Sequence, residues 1–263
     1  MCWFVYARSA RGGGNLKLAP QGFRGLLKKI VSDQAARLGF TLAEVLITLG
    51  IIGVVAALTI PTLVQNYKKR EVETSLKKIY STVNQAIKKA ELDYGDYQTW
   101  TFEPNGIAGL EKYFIPYLNV INIEKATCNV GNDSRLIYLA DGSLLIAIPS
   151  THFGNWIQFA YYPRAANWKG QWQMRACLPE DYGRSAFWFL FSIGKPPGHR
   201  LYLNTPFQPL IVGDLKGTIN AESLTDPKYS GACNKETARP QQCAALIMYN
   251  NWKIPKDYPF RLK

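Results

Sequence analysis

Phe40-Thr-Leu-Ala-Glu44-Val-Leu-Ile-Thr-Leu-Gly50-Ile-Ile-Gly53-Val-Val-Ala-Ala-Leu-Thr-Ile-Pro61-Thr-Leu-Val64 is the stretch around which the chain is organised. A helix needs about 20 mostly apolar residues to cross a bilayer, and this run exceeds that with a single charge, Glu44. The run is therefore long enough to span. A carboxylate inside a membrane helix costs several kcal/mol and persists where it has a partner or a function. Glu44 lies about one helical turn from the start of the run. If the chain were cut between Gly39 and Phe40, Phe40 would gain an α-ammonium, which titrates near pH 8 and is mostly charged at neutral pH. That amine is a natural partner for Glu44, within one chain or between helices staggered by a turn.

The residues Gly39-Phe40-Thr-Leu-Ala-Glu44 resemble the processing site of type IV prepilins and type II secretion pseudopilins: Gly before the cut, Phe after it and Glu at the fifth mature position. Pro61 falls where many of these proteins have a helix-bending proline. The resemblance implies cleavage at Gly39/Phe40 by a prepilin peptidase, N-methylation of Phe40, assembly through Glu44 and a helix kink at Pro61. A Sec signal peptide is the competing reading, with Val55-Ala56-Ala57 as its cleavage site. Its apolar core is usually about 7 to 15 residues, and this run continues beyond that.

The formal net charge is +12. Residues 1–39 hold seven Lys or Arg against one Asp; without them 24 Lys and Arg face 18 Asp and Glu, which halves the excess. Such a balance favours anionic partners without demanding one. Residues 1–39 read as a basic leader held in the cytoplasm by the positive-inside tendency, although Lys68-Lys69-Arg70 on the far side weakens the contrast. The head then lies outside the inner membrane. Inside the run, Gly50 and Gly53 allow close approach of a second helix.

Past residue 64 the helical period persists. Val72, Leu76, Ile79, Tyr80, Val83, Ile87 and Ala90 recur at three- and four-residue steps and predict one buried face, with charged residues on the others. Glu73 and Lys77 are spaced for an i, i+4 ion pair. Gly95 is a stop signal near Asp93, so the helix from Phe40 extends over about 54 residues, or roughly 80 Å. The organisation expected is a leader over 1–39, an assembly helix over 40–64, an amphipathic spine over 65–94 and a globular head over 95–263.

In the head, residues 107–114 read as a short helix. Residues 136–140 and 143–148 flank Asp141-Gly142, a type I′ hairpin signal. Further strands are expected over 156–162, 187–193, 201–203 and 246–249. A helix followed by several strands predicts an α+β fold, a long N-terminal helix packed on an antiparallel sheet. Four cysteines follow the leader, Cys128, Cys177, Cys233 and Cys243, an even number that suggests disulfides in an exported chain. Cys233 and Cys243 are the nearest pair, which leaves Cys128 with Cys177.

Motifs for catalysis and metal binding do not appear: no Gly-x-Ser-x-Gly, no His-Glu-x-x-His, no phosphate loop, no Cys-x-x-Cys, and His152 and His199 far apart. Glu180-Asp181 reads as a solvated turn. The expectation is a protein that is no enzyme and needs no cofactor or metal. Relatives of the major pseudopilin often carry a calcium loop, but here Asp214, Asp226 and Asp257 are scattered and Ser185 or Ala186 stands where an acid would be expected. The partners implied are other pilins in a homo- or hetero-oligomeric filament, the prepilin peptidase and membrane lipid. An alternative is a minor pilin whose basic, aromatic head binds DNA or a surface ligand. Trp156, Tyr161, Tyr162, Trp168, Trp172, Trp188 and Trp252, with Arg164, Lys169 and Arg175 among them, would be its stacking platform. The competing reading is that these aromatics fill the core.

Overall fold

The computed structural model describes residues 40–102, 107–127, 133–149, 156–170, 179–194, 205–213 and 219–263. The chain divides between Ala57 and Leu58 into two units. Helix α1 (Leu42–Tyr94) crosses that division and carries Pro61 inside it. Proline brings no N–H, so the Ala57 carbonyl lacks its helical donor, and the division falls beside that carbonyl. At the other end, Gly95 N–H donates to the Glu91 carbonyl (2.9 Å) and closes the helix where the glycine stop signal placed it.

The second unit is an α+β head. After α1 come α2 (Ile107–Tyr113), then β1 (Val120–Thr127), β2 (Asp133–Leu139), β3 (Leu144–Pro149), β4 (Trp156–Tyr162), β5 (Phe187–Ser192) and β6 (Phe207–Pro209), and finally α3 (Ala221–Thr225) and α4 (Cys243–Tyr249). The six strands pair in sequence order, every pairing antiparallel. This is the expected fold class.

Alternation along each strand decides what faces α1. Ile137 and Leu139 of β2, Leu145 and Ala147 of β3, Ile157, Phe159 and Tyr161 of β4, and Phe187, Phe189 and Phe191 of β5 form one core with the α1 residues Val72, Leu76, Ile79, Val83, Ala86, Ile87 and Ala90. The helix thus lays on the sheet the face that its period predicted. Phe191 pairs with Phe207, and Phe189, diagonal to Phe207 across the β5–β6 pairing, lies parallel to its ring at 5.0 Å. Leu136, Leu144, Ile146, Ala160, Tyr162, Trp188 and Leu190 enter a second buried cluster on the other face. Both faces of β5 are covered, which is why it reads Phe-Trp-Phe-Leu-Phe without polar alternation.

Those two cores account for the aromatic density. Tyr161, Tyr162 and Trp188 are buried, and Trp156, Trp168 and Trp252 are partly buried. Among the described residues no exposed aromatic platform forms; Trp172 and Arg175 lie outside them.

Several expectations are corrected. Residues 246–249 are helical, not a strand: α4 begins at Cys243 and gains Ala244 and Ala245, strong helix formers. A four-residue apolar run could not distinguish the two states. The hairpin sits at the expected place, but its turn is not type I′. Among the described residues only Asn251 and Trp252 are non-glycine positions with positive φ, so Asp141 keeps a negative φ and Gly142 alone is left-handed (φ 82°). Gly142 N–H donates to the Leu139 carbonyl and Leu139 N–H to the Ser143 carbonyl, both at 3.0 Å, a three-residue loop with a glycine bulge. Asp141 is held for other work. Its Oδ1 accepts from Ser143 N–H (3.1 Å) and Oγ (2.6 Å), and its Oδ2 from the Lys78 ammonium on α1 (2.7 Å).

Burial pushes the Asp141 carboxyl up, but the hydrogen bonds from Lys78 and Ser143 outweigh it and leave it below the ordinary value. A folded-state value below the unfolded one of about 3.9 stabilises the fold above that pH, and the gain is lost as pH falls through the folded value. Asp141→Asn is therefore expected to flatten the acid limb of stability below about pH 4. Urea midpoints at neutral and acid pH check this.

The i, i+4 pair of Glu73 with Lys77 is replaced by a longer link. Glu73 accepts from the Lys253 ammonium and from Ile254 N–H, both at 2.9 Å, and fastens the C-terminal segment to α1. Strands β1 and β6 escaped the sequence. The apolar alternation of β1 is short and interrupted, and Ile121 stays 68% exposed at this edge, whereas β6 is fully buried but only three residues long. Residues 201–203 lie outside the described residues.

Cys233 and Cys243 form a disulfide, the expected nearest pair. Cys128 and Cys177 lie outside the described residues. Closing a loop of ten residues is worth about 2–3 kcal/mol in the chain-entropy account. Replacing both Cys233 and Cys243 by Ser is expected to lower stability by about that much. Urea unfolding followed by fluorescence would read it.

Candidate assembly site

Thr41 is the residue just before α1, and Glu44 is the third residue inside it. Thr41 Oγ1 accepts from Glu44 N–H (3.2 Å), while Glu44 Oε2 accepts from Thr41 N–H (2.8 Å) and from Thr41 Oγ1 (2.7 Å). This is a reciprocal capping box, which satisfies backbone donors that the first helical turn leaves orphaned. Both Thr41 donors converge on Oε2. Glu44 Oε1 accepts nothing among the described residues, so one carboxylate oxygen stays open to an outside cation. The Thr-x-x-Glu spacing was legible in the sequence, and the reading of Glu44 as a lone charge missed it. Thr41→Val is expected to cost about 1 kcal/mol of helix-end stability, read as faster amide exchange of the first turn in detergent.

Phe40 is 85% exposed and begins the described residues; Gly39 lies outside them. The peptide bond between these two residues is one unit upstream of the Thr41 amide used by the cap, so a cut there would leave every bond of the capping box in place.

Downstream of Glu44, Leu46, Ile47, Leu49, Ile51, Ile52, Val54, Leu58, Ile60 and Leu63 are all exposed. They fall on every side of the helix. A Cβ added at Gly50 or Gly53 would meet nothing within 4 Å, so neither glycine has a neighbour within this chain. This part of α1 is long and apolar enough to cross a membrane, and its most apolar window is wholly unburied. Uncovered apolar surface of this extent is stable only in lipid or against other apolar helices, at about 25 cal/mol per Å² removed from water.

The other weighed residues do not gather. Glu180 is exposed, whereas Asp181 is buried, which corrects its reading as part of a solvated turn. Asp181 accepts from the Lys263 ammonium (2.9 Å), Ser185 Oγ (2.8 Å) and the Tyr162 hydroxyl (3.3 Å). A buried carboxylate persists when it is paired and hydrogen-bonded in this way. His152, His199 and Asp214 lie outside the described residues, and among the described residues no three His, Cys, Asp or Glu side chains gather as metal ligands.

The fold and the uncovered helix define a class: an α+β head on a helix able to cross a membrane. The chain belongs to DUF6613, a family of unknown function, whose profile matches residues 62–262. No curated protein and no solved structure matches it. The matched stretch starts directly after Pro61, so it takes in the amphipathic part of α1 and the head and leaves out Phe40, Thr41 and Glu44.

Proposed function

We propose that the chain is a non-enzymatic subunit of a helical filament of the type II secretion or type IV pilus class. A prepilin peptidase cuts it between Gly39 and Phe40 and methylates the new amine. Before assembly it is a single-pass protein of the inner membrane, its basic N-terminus cytoplasmic and its head outside. In the filament, apolar faces of neighbouring helices replace lipid, and Glu44 receives the Phe40 ammonium of an adjacent subunit. Methylation leaves the charge of an amine in place, so the pairing survives it.

The observation that carries this reading is the combination on α1: apolar side chains uncovered on every side, interrupted by one carboxylate with an uncommitted oxygen. Lipid alone would account for the apolar surface but not for a charge at that depth.

The test is the amino terminus and intact mass of the protein recovered from cells with and without the peptidase. A peptidase-dependent start at Phe40 with one added methyl is the expected result. An intact leader, or a cut near Ala57, would overturn the proposal.

A further inference from the structure

Between residues 70 and 92 the exposed positions of α1 are Arg70, Thr74, Lys77, Lys78, Ser81, Gln85, Lys88, Lys89 and Leu92. That stripe carries five cations and no carboxylate. Two of the five are already engaged: Lys78 with Asp141 (2.7 Å) and Lys88 with Glu91 (2.6 Å). Among the described residues, Arg70, Lys77 and Lys89 have no acidic partner.

One point on the stripe is concave. Glu73, Thr74, Lys77, Lys78 and Ser81 of α1, with Asn251, Trp252 and Lys253, line a cleft of about 360 Å³. The wall opposite the helix is a tight turn. Lys253 N–H donates to the Asn250 carbonyl (3.0 Å), and Asn251 (φ 55°) and Trp252 (φ 61°) are both left-handed, the φ pattern of a type I′ turn. Two successive left-handed residues without a glycine cost of order 1–3 kcal/mol each, and such strain persists where its surroundings hold it. Here Glu73 grips Lys253 and Ile254, and the Trp252 ring packs on Tyr80 at 5.2 Å. The result is a fixed wall that places Asn251 and Trp252 in the lining of the same cleft as Lys77.

We infer that this cleft seats a carboxylate of an acidic polypeptide segment, with the Lys77 ammonium as its charge partner. The balance of charges selects the ligand. Lys77, Lys78 and Lys253 supply three positive charges at the cleft, and their contacts Glu73 and Asp141 return two negative ones, which leaves room for a monoanion. The Asn251 amide and the hydroxyls of Thr74 and Ser81 are donors suited to its oxygens. A nucleic-acid backbone, with a phosphate at every nucleotide, fits less well. The unengaged cations Arg70, Lys77 and Lys89 are spread over about 30 Å of helix, and Glu71, Glu73 and Glu91 flank the stripe. The inference concerns the head alone and does not depend on what becomes of Phe40.

The test uses the full chain in detergent and a short fluorescein-labelled peptide of alternating Glu and Gly, followed by fluorescence anisotropy. A single-stranded oligodeoxynucleotide of equal net charge is the comparator. Lys77→Glu should weaken peptide binding at least tenfold. It alters an exposed side chain with no ion pair and should leave the fold intact, verified by an unchanged urea midpoint. Lys89→Glu, on the same stripe but outside the cleft, should weaken binding less than twofold. Absent binding, equal losses in the two variants, or tighter binding of the oligonucleotide would overturn the inference, the last in favour of a nucleic-acid surface.

Discussion

Gly183→Ala is expected to destabilise the head by about 2–5 kcal/mol, much more than Gly142→Ala, although both glycines have positive φ. A left-handed backbone costs a non-glycine residue about 1–2 kcal/mol wherever it occurs. The two sites differ in what surrounds them. At Gly142 (φ 82°) an added Cβ would meet nothing within 4 Å. At Gly183 (φ 67°) it would lie 2.6 Å from Cys243 Sγ and 2.8 Å from the Phe260 ring. Neither neighbour is free to withdraw. Cys243 is tied to Cys233, and Phe260 lies under the Arg184 guanidinium, 4.8 Å from the ring centroid. The Tyr258 hydroxyl donates to the Gly183 carbonyl (2.6 Å), and Lys263 N–H to the Arg184 carbonyl (3.2 Å), so the same loop anchors the C-terminal segment. Overpacking such a site adds about 1–3 kcal/mol to the backbone strain. Urea unfolding of the two alanine variants gives the comparison; equal midpoints would sink the packing argument.

Glu44→Ala is expected to leave the cut at Phe40 in place and to reduce incorporation into filaments at least a hundredfold, about 2.7 kcal/mol per subunit contact. In the proposed assembly it leaves an ammonium unpaired in an apolar interface, which costs several kcal/mol. The alanine also removes the acceptor of the capping box, so two effects are mixed. Glu44→Gln separates them, because its side-chain carbonyl still accepts from Thr41 while the charge is gone. Thr41→Val does the converse. The proposal requires Glu44→Gln to resemble Glu44→Ala in filament yield and Thr41→Val to stay near wild type. If the glutamine variant assembles normally, Glu44 serves as a helix cap and the charge pairing is wrong.

These two predictions rest on different kinds of information. The apolar run, its single carboxylate, the Gly95 stop and the buried face from Val72 to Ala90 follow from local pattern, because a helix makes its own backbone hydrogen bonds and its period appears directly in the sequence. The β2–β3 hairpin was legible for a similar reason, as two apolar runs close together with turn residues between them. The Cys233–Cys243 pair rested on nearness alone, which the fold satisfies through the buried start of α4.

Tertiary structure decided the rest. Strand β1 is an edge strand with half-exposed isoleucines, and β6 has three residues; neither carries enough pattern to be found alone. Residues 246–249 could have been strand or helix, and packing of Cys243, Ala244 and Ile247 into the core settled the question. The aromatics are divided between two faces of one sheet, a partition that depends on the register of β4 against β5. Glu73 with Lys253 and Asp181 with Lys263 join residues far apart in the chain, and no local rule relates them. Sequence alone therefore determined the helix, its uncovered apolar segment and the α+β class, all products of short-range periodicity. Only the folded head brought Lys77 opposite Asn251 and Trp252 and closed Gly183 against Cys243, because contacts between distant segments exist only after the chain has paid the entropy of bringing them together.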